Sequence, residues 1–367
     1  MYYENFHALN ANFKEVVSNE QAKSFFLFAA ANQQDDNFDE LNALIVNCDK
    51  PIMGGVFPEI IADGKRHNDG YCFVPLYFEL DVQTYTGVEN FDDIADKLKS
   101  EVNQHVNDAE TVFCFSDALW SFKDLFINSL YDVFGPFVNY LGGGAGNLQF
   151  KSKPCLFSNN GVVLNGAVIG VAKMESAIGV AHGWTSISEG IKVTEAHENM
   201  VKRLNDEIAF DVYKQEIQRH KGIEITEDAF FDVAKSYPFG MVKLDSEMII
   251  RDPISSVHGE LQIVDKVPEG VYVRIMYGDI ESLLEQGSQK ALQSVLEATK
   301  DNHQKFCIDC ISRVLYMQDD FSKELDIINT NSNAFGILSL GEFANPNKTR
   351  LQIFNKTCVI AVWKITN

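Results

Sequence analysis

Short apolar runs alternate with amphipathic helical patterns along this sequence, and that alternation constrains its fold more than any other feature. Residues 24–31 form a compact apolar run, which is typical of a buried strand. Phe38, Leu41 and Leu44 then recur at a spacing that places them on one face of a helix. The same mixture continues to the end of the chain. The sequence therefore predicts a mixed α/β fold, with central mixed β-sheets covered by amphipathic helices.

The length of the chain favours more than one structural unit. It has 367 residues, whereas a single hydrophobic core rarely grows beyond ~250–300 residues. We expect two modules, residues 1–175 and 176–367. Because no Pro- or Ser-rich linker separates them, we expect the modules to pack intimately in helix–sheet–sheet–helix layers.

Four local patterns make more specific predictions. In residues 90–106, apolar positions three and four apart predict a long amphipathic helix, and residues 279–300 predict another. Residues 226–236 predict a helix with Thr226 as its N-cap. Near the end of the chain, two apolar runs that flank residues 355–357 predict a closing β-hairpin.

Charge and apolar run length bound the compartment and the partners. The chain has 31 Lys and Arg against 52 Asp and Glu, a formal net charge of −21. Nucleic acids and anionic membrane surfaces attract clustered basic residues, so the charge argues against both as partners. The apolar runs are too short for a membrane helix of ~20 residues, and the first residues lack a signal-peptide pattern. We therefore expect a soluble, cytosolic protein.

Seven cysteines do not read as a disulfide framework, because the number is odd and they are spread over a long chain. Most lie in apolar strand-like runs, where cysteine acts as a small buried hydrophobe. Cys307 and Cys310 have CxxC spacing, but a single such pair is a weak zinc or redox signal. A structural role is favoured for both.

A glycine run at residues 141–147, LGGGAGN, is the most conspicuous motif. Its spacing fits neither the dinucleotide fingerprint nor a P-loop. Its backbone amides could still form a small anion-binding nest. The alternative is a tight strand connection in which only glycine fits. The sequence leaves both interpretations open.

Three further residues attract attention for their setting. His182 lies in a glycine-flanked apolar context beside Trp184, and is either a ligand-facing imidazole or a buried structural histidine. Arg251 and Arg313 are scarce arginines next to apolar runs, which makes each a candidate carboxylate-binding fork. An internal ion pair with one of the many acidic residues is the favoured alternative for each.

Motifs for catalysis are not found. The sequence contains no HExxH, GxSxG or EF-hand pattern, and no spacing singles out an acid/base pair of carboxylates. We therefore expect a protein that is not an enzyme, with an enzyme that has an unrecognised site kept as an alternative.

Taken together, several short motifs in one order resemble the FIST family, which pairs a FIST N-terminal with a FIST C-terminal domain. Asn147 stands where the family has Asp, and Ser186 departs from its Pro-containing form. The matching segments are GGVFPEI at 54–60, LGGGAGN at 141–147, HGW at 182–184, VTEA at 193–196, RDP at 251–253, VPEG at 267–270, DCISR at 309–313, GILSLGE at 336–342 and NKT at 355–357.

The resemblance implies a sensory module of signal transduction that binds a small ligand, such as an amino acid or another small anion. Some members of the family bind haem and sense nitric oxide, and act on a partner histidine kinase. This chain looks free-standing, so we expect it to act through a partner protein, with its acidic surface available for docking. A pure scaffold that binds no ligand is a further alternative.

The same motifs nominate the binding residues. We expect a pocket that draws on both modules, with Arg251 and Arg313 fixing an anion and glycine-run amides assisting. If haem is bound, His182 or Cys310 is the expected axial ligand. The nominated ligand-binding residues are Gly55, Gly143, Gly144, Asn147, His182, Trp184, Arg251, Cys310, Arg313 and Glu342.

Overall fold

A computed structural model of the chain describes residues 1–32, 38–87, 96, 98, 108–242, 248–300 and 302–365. The helix that the sequence predicts over residues 90–106 lies almost wholly outside these ranges. The described strands are β1 Tyr2–Tyr3, β2 Ser24–Ala30, β3 Ile52–Phe57, β4 Glu59–Ala62, β5 Lys65–His67, β6 Tyr71–Leu76, β7 Asp81–Thr86, β8 Thr111–Asp117, β9 Asn139–Ala145, β10 Leu156–Ser158, β11 Gly161–Val163, β12 Gly166–Ala172, β13 Ala177–Ala181, β14 Thr185–Ser186, β15 Ile191–His197, β16 Met200–Leu204, β17 Glu207–Ile208, β18 Phe239–Met241, β19 Ile249–Arg251, β20 Pro253–Val257, β21 Glu260–Ile263, β22 Tyr272–Tyr277, β23 His303–Cys310, β24 Phe335–Ser339, β25 Glu342–Ala344, β26 Gln352–Phe354 and β27 Cys358–Lys364.

The helices lie between these strands and cover the sheets. A π-helical segment, Leu283–Gln289, joins two short α-helices, and 3₁₀ turns occur at Leu296–Lys300, Gln318–Asp320 and Pro346–Lys348. The described α-helices are α1 Phe6–Val17, α2 Phe38–Val46, α3 Lys123–Phe134, α4 Ala209–Lys221, α5 Phe230–Ala234, α6 Ile280–Ser282, α7 Lys290–Gln293, α8 Ile311–Met317 and α9 Phe321–Ile328.

The strands of the described residues form four mixed or antiparallel sheets, which confirms the predicted mixed α/β fold. Sheet 1 has the order β1-β6-β2-β3-β10-β11, and sheet 2 has the order β26-β25-β9-β8-β12-β7. Sheet 3 has the order β13-β27-β23-β24-β4-β5. Sheet 4 follows β19-β18-β22-β15-β16-β21-β20, with β14 on β22 and β17 on β16.

Sheet 1 packs face to face on sheet 2, and the side chains of β2 alternate between the two faces of sheet 1. On one face, the Phe25 ring lies 4.8 Å from that of Phe73, which stacks in turn on Phe13 of α1. On the other face, the Phe26 ring lies 5.0 Å from that of Phe113 in sheet 2. Helix, sheet, sheet and helix follow one another, since α3 covers the far face of sheet 2 through Phe126.

The two halves of the chain exchange strands. Early strands β4 and β5 extend sheet 3, where β4 pairs with β24. Late strands β25 and β26 extend sheet 2, where β25 pairs with β9. Residues from both halves therefore share two sheets. This arrangement brings segments that are distant in sequence to one edge, where the candidate site lies.

The predicted closing hairpin is wrong. β26 pairs with β25 in sheet 2, whereas β27 pairs with β23 and β13 in sheet 3. The three connecting residues, 355–357, are buried, and Lys356 has a left-handed backbone with φ of 50°. They carry the chain from one sheet to the next, so their polarity marks buried hydrogen bonding and not an exposed turn.

Two predicted helices differ from the observed ones. Over residues 226–236 the helix is only α5, which begins at Phe230, and Thr226 lies before it. Glu227 instead accepts hydrogen bonds from Ser256 and the Gly259 amide. Over residues 279–300 the helical stretch is interrupted by the π segment and the 3₁₀ turn. Within the described ranges, no helix has both the length and the apolar content needed to cross a membrane.

Candidate functional site

A cavity of about 640 Å³ lies where the two halves of the chain meet. Five residues between Ala118 and Phe150 line it from the first half, and Asn199 together with residues between Phe231 and Asn355 line it from the second. Its walls are mainly apolar, which suits a small organic ligand. The apolar side chains that line the cavity are those of Ala118, Leu119, Leu148, Phe150, Phe231, Ile254, Ile263, Val264, Ile311, Leu315 and Leu340.

Strand ends form the floor of this cavity. β23 ends at Cys310, and the parallel neighbour β24 is followed by Leu340 and Gly341. β8 of sheet 2 is followed by Ala118 and Leu119. Hydrogen bonds between the Gly144 and Gly341 segments hold sheets 2 and 3 together here, with an N–O distance of 2.8 Å. The carboxyl ends of strands thus meet at one edge, the usual position of ligand sites in α/β sheets.

One charged pair in the wall is Lys123 with Asp265, at an N–O distance of 3.3 Å. The second oxygen of Asp265 accepts a hydrogen bond from the Asn355 amide at 2.9 Å. Burial works against ionisation of Asp265, but the charges of Lys123 and Arg251 outweigh it and lower the pKa of this carboxyl. Asp265 is therefore a satisfied, ionised carboxylate.

A second pair, Asp252 with Lys356, is almost completely buried. The Lys356 ammonium lies 3.1 Å from Oδ2 of Asp252 and also donates to the carbonyl of Lys235. Burial raises the pKa of Asp252, while Lys356 and the nearby Ser312 hydroxyl oppose that rise. Asp252 and Ser312 line the cavity, and Lys356 lies behind them over the Trp184 ring at 5.1 Å.

The Cys310 and Glu342 side chains interact at the floor of the cavity. Cys310 is 3% exposed and lines the cavity, whereas Glu342 is fully buried and accepts a hydrogen bond from Ser339 at 2.9 Å. Burial raises the pKa of Glu342 to about 8, although Ser339 and the Cys310 thiol oppose this. Burial and the Glu342 charge raise the pKa of Cys310 well above its ordinary value. Cys310 is therefore a protonated thiol at neutral pH.

The two arginines nominated as an anion fork are turned into the protein interior. Arg313 is fully buried and lies 2.8 Å from Glu324 and 3.1 Å from Asp309. Arg251 donates to the carbonyls of Ile250 and Ile353, and contacts the Asn355 side chain behind the cavity wall. Arg313 therefore forms the internal ion pairs that the sequence analysis favoured. Among the described residues that line the cavity, neither arginine is present.

His182 and Trp184 support each other. The Trp184 amide donates to Nδ1 of His182 at 2.9 Å, and the Trp184 indole donates to the Lys356 carbonyl at 3.1 Å. The His182 carbonyl accepts from Arg313 at 2.8 Å. Both residues are buried and belong to the packing behind the site, not to the described residues that line the cavity.

The nominated glycines allow close packing of strands. A Cβ at Gly55 would lie 2.6 Å from the carbonyl oxygen of Cys155, and one at Gly144 would lie 2.5 Å from that of Leu340. A Cβ at Gly143 would come within 2.9 Å of Ser339. The run at 141–147 thus begins in β9, and the amides of Gly144 and Gly146 donate to main-chain carbonyls. The structure therefore shows a tightly packed strand at this run and not an anion-binding nest.

Asn147 ends the glycine run in a turn. Its amide donates to the Lys151 carbonyl at 2.8 Å, and its oxygen accepts from the Lys151 amide at 3.1 Å. It lines a smaller cavity of about 250 Å³ together with Val56 and Lys153. The nominated residues therefore divide: Cys310 lines the large cavity, Glu342 supports it from below, and the others pack around it or lie elsewhere.

The residues present do not fit haem. His182 uses Nδ1 to accept the Trp184 amide, and it is not among the described residues that line the cavity. Cys310 does line it, but its raised pKa disfavours the thiolate that iron ligation requires. Neither expected axial ligand has the setting that haem needs.

The CxxC pair does not act as a unit, because its members face different surroundings. Cys307, Asp309 and Cys358 cluster with ligand atoms within 4.8 Å of one another, and all are buried. The charge of Arg313 beside Asp309 opposes a cation at that place. Cys310 instead reaches the cavity.

The polar residues of the cavity that reasoning from the sequence missed include Lys123, Asp252, Asp265 and Asn355. A signal did exist for two of them, because Asp252 lies in the RDP segment and Asn355 in the NKT segment. In the RDP segment, the arginine was nominated as a binding residue and the aspartate was not. The pairing of Lys123 with Asp265 spans too much sequence for a local pattern to reveal it.

Comparison with known protein families finds two domains along the chain. The FIST N domain matches residues 24–207, and the FIST C domain matches residues 209–345. Together they cover most of the chain, and the cavity is lined from both. A search of curated proteins finds no match. The expected module boundary at residue 175 stays a prediction.

Proposed function

Because the chain belongs to the FIST family, whose domains are associated with sensory signal transduction and small-ligand binding, we propose that it is a cytosolic small-ligand sensor. We propose that the ligand binds in the cavity between the two domains. The observation that carries this proposal is the cavity itself, about 640 Å³ of mainly apolar space at the carboxyl ends of strands from both domains.

Binding without catalysis is the second part of the proposal. A nucleophilic cysteine needs a lowered pKa, whereas the pKa of Cys310 is raised. The two charged pairs in the wall hold their members in place by mutual contact, which suits recognition. These features support a binding site over an unrecognised enzyme.

A partner protein completes the proposal. A sensor reports its ligand through a change in the surface that its partner protein contacts. A ligand that touches two domains can change the relative position of the two domain surfaces. The net charge of −21 favours a partner with a basic docking face, such as a histidine kinase. The cavity favours a small organic metabolite over the haem alternative, because neither expected axial ligand is suitably placed.

A thermal-shift screen tests the proposal. Pools of small metabolites are added to the wild-type protein and to Ala118→Trp, which fills the cavity from the loop after β8. A ligand at 100 times its Kd adds about 2.7 kcal/mol, which corresponds to a Tm rise of several degrees. We expect the rise in the wild type and its loss in Ala118→Trp.

The matched control is Ala43→Trp, which places the same side chain in an open groove of about 670 Å³ between α1 and α2. This variant should keep the ligand response. If Ala43→Trp abolishes the response and Ala118→Trp does not, the sensing site is the outer groove and the proposal is wrong.

A further inference from the structure

The charges that face the cavity are not those of an anion-binding site. Asp252, Asp265 and Lys123 line it, whereas Arg251 and Arg313 are buried behind it in internal hydrogen bonds and ion pairs. Lys123 already contacts Asp265, and the other oxygen of Asp265 accepts from Asn355. The cationic group in the wall is therefore occupied by a carboxylate of the chain.

Asp252 differs from Asp265, the other carboxylate of the cavity wall. It is 2% exposed, and its Oδ2 contacts Lys356. Its Oδ1 accepts no hydrogen bond of good geometry from any described residue, although the Ser312 hydroxyl lies near enough to the carboxylate to favour its charged form. Leaving a buried acceptor unsatisfied costs about 1–3 kcal/mol. A donor from a ligand in the cavity would remove that cost.

The rest of the molecule favours a cation as that donor. The chain has a net charge of −21, so its field attracts cations and repels anions. Around the carboxylate, the wall is apolar through Ile254, Ile311 and Leu315. An apolar body can fill this space while one polar group reaches Asp252.

The geometry points to a small molecule with a protonated primary amine on an apolar body, whose N–H donates to Oδ1 of Asp252. This inference rests on the proposed ligand-sensing function of the same cavity. It replaces the anion that the scarce arginines suggested. The ammonium would complete a buried chain of charges in which Asp252 lies between Lys356 and the ligand.

Four matched probes test the inference on the wild-type protein, each with a phenyl ring and a short chain: 2-phenylethylamine, 2-phenylethanol, 3-phenylpropanoate and L-phenylalanine. Isothermal titration gives Kd for each. We expect the amine to bind at least about tenfold more tightly than the alcohol, with the propanoate weakest. Comparable binding of the propanoate or the alcohol would overturn the inference, and so would failure of the amine to bind.

L-Phenylalanine distinguishes two sources of the amine. If it binds as well as 2-phenylethylamine, the ligand class includes amino acids. If it binds much more weakly, the class is limited to simple amines. Either result supports an amine on Asp252, provided that the alcohol and the propanoate remain weak.

Variants locate the amine. Asp252→Asn combined with Lys356→Met removes both charges of the buried pair, so neither is left alone. We expect it to weaken the amine about tenfold and to erase the preference over the alcohol. The control, Lys173→Met with Asp108→Asn, removes an ion pair of the same two residue types that does not line the cavity, and it should keep the preference. Circular dichroism confirms that both proteins fold, and an unchanged preference in the first variant overturns the inference.

The thermal-shift screen of the wild type and Ala118→Trp separates the two proposals. If that screen finds a cavity ligand that carries no amine, ligand sensing stands and the amine inference fails. If Ala118→Trp leaves every ligand response intact, the site itself is wrong and both proposals fail.

Discussion

At the residue scale, burial decides what the nominated side chains do. Arg313 looked like a ligand fork because arginine is scarce and apolar residues surround it. Its partners, Asp309 and Glu324, lie on β23 and α9, and only the tertiary fold brings all three together. A guanidinium that is fully buried with two carboxylates is a structural group, since breaking such a pair leaves charges uncompensated.

Glu342 gives a pH-dependent prediction. Burial raises its folded-state pKa to about 8, above the value of about 4.3 for an unfolded chain. The folded protein therefore keeps a proton that the unfolded chain releases, so the contribution of Glu342 to stability is greatest below about pH 4 and falls as pH rises to about 8.

The measurement compares wild type with Glu342→Gln by urea denaturation from pH 5 to pH 8. The stability of the wild type minus that of the variant should fall by up to about 1.4 kcal/mol per pH unit. The difference between the two proteins isolates Glu342 from other titrating groups. Parallel pH profiles would show that Glu342 is ionised in the folded state.

At the element scale, periodicity predicts what each segment is but not which sheet it joins. The strand pattern at β2 and the helix pattern at α2 are confirmed, because each depends on residues that are close together in sequence. The closing hairpin failed because strand pairing is a long-range property. β26 and β27 are adjacent in sequence but lie in different sheets.

The glycine run in β9 makes a prediction at this scale. A Cβ on Gly142 would overlap the carbonyl oxygen of Cys114 in the parallel neighbour β8. Gly142→Ala should therefore cost at least about 3 kcal/mol, the upper end of ordinary overpacking, or prevent folding. Thermal melting measures the cost.

Gly190→Ala is the control, because a Cβ there meets only Tyr272 at 3.5 Å, an ordinary contact. Its Tm should stay near that of the wild type. If both variants melt alike, β8 and β9 are not packed as closely as described, and the anion-nest interpretation of the run returns.

At the scale of the whole molecule, the site depends on the exchange of strands between the two halves. The family motifs supplied Cys310 and Glu342 at the floor of the cavity, and the sequence led us to expect a pocket drawing on both modules. The sequence did not predict that Asp252 and Asp265 line the cavity. These residues become neighbours of Lys356 and Lys123 only when the sheets assemble. Local patterns report burial and periodicity, whereas a cavity is a property of the assembled layers.

The most direct test of the central claim is a crystal structure of the protein with the compound that most raises its Tm. We predict electron density for that compound between Asp252, Leu119 and Leu315, enclosed by residues of both FIST domains. Density in the groove between α1 and α2, or against His182, with the cavity filled only by solvent, would contradict the account.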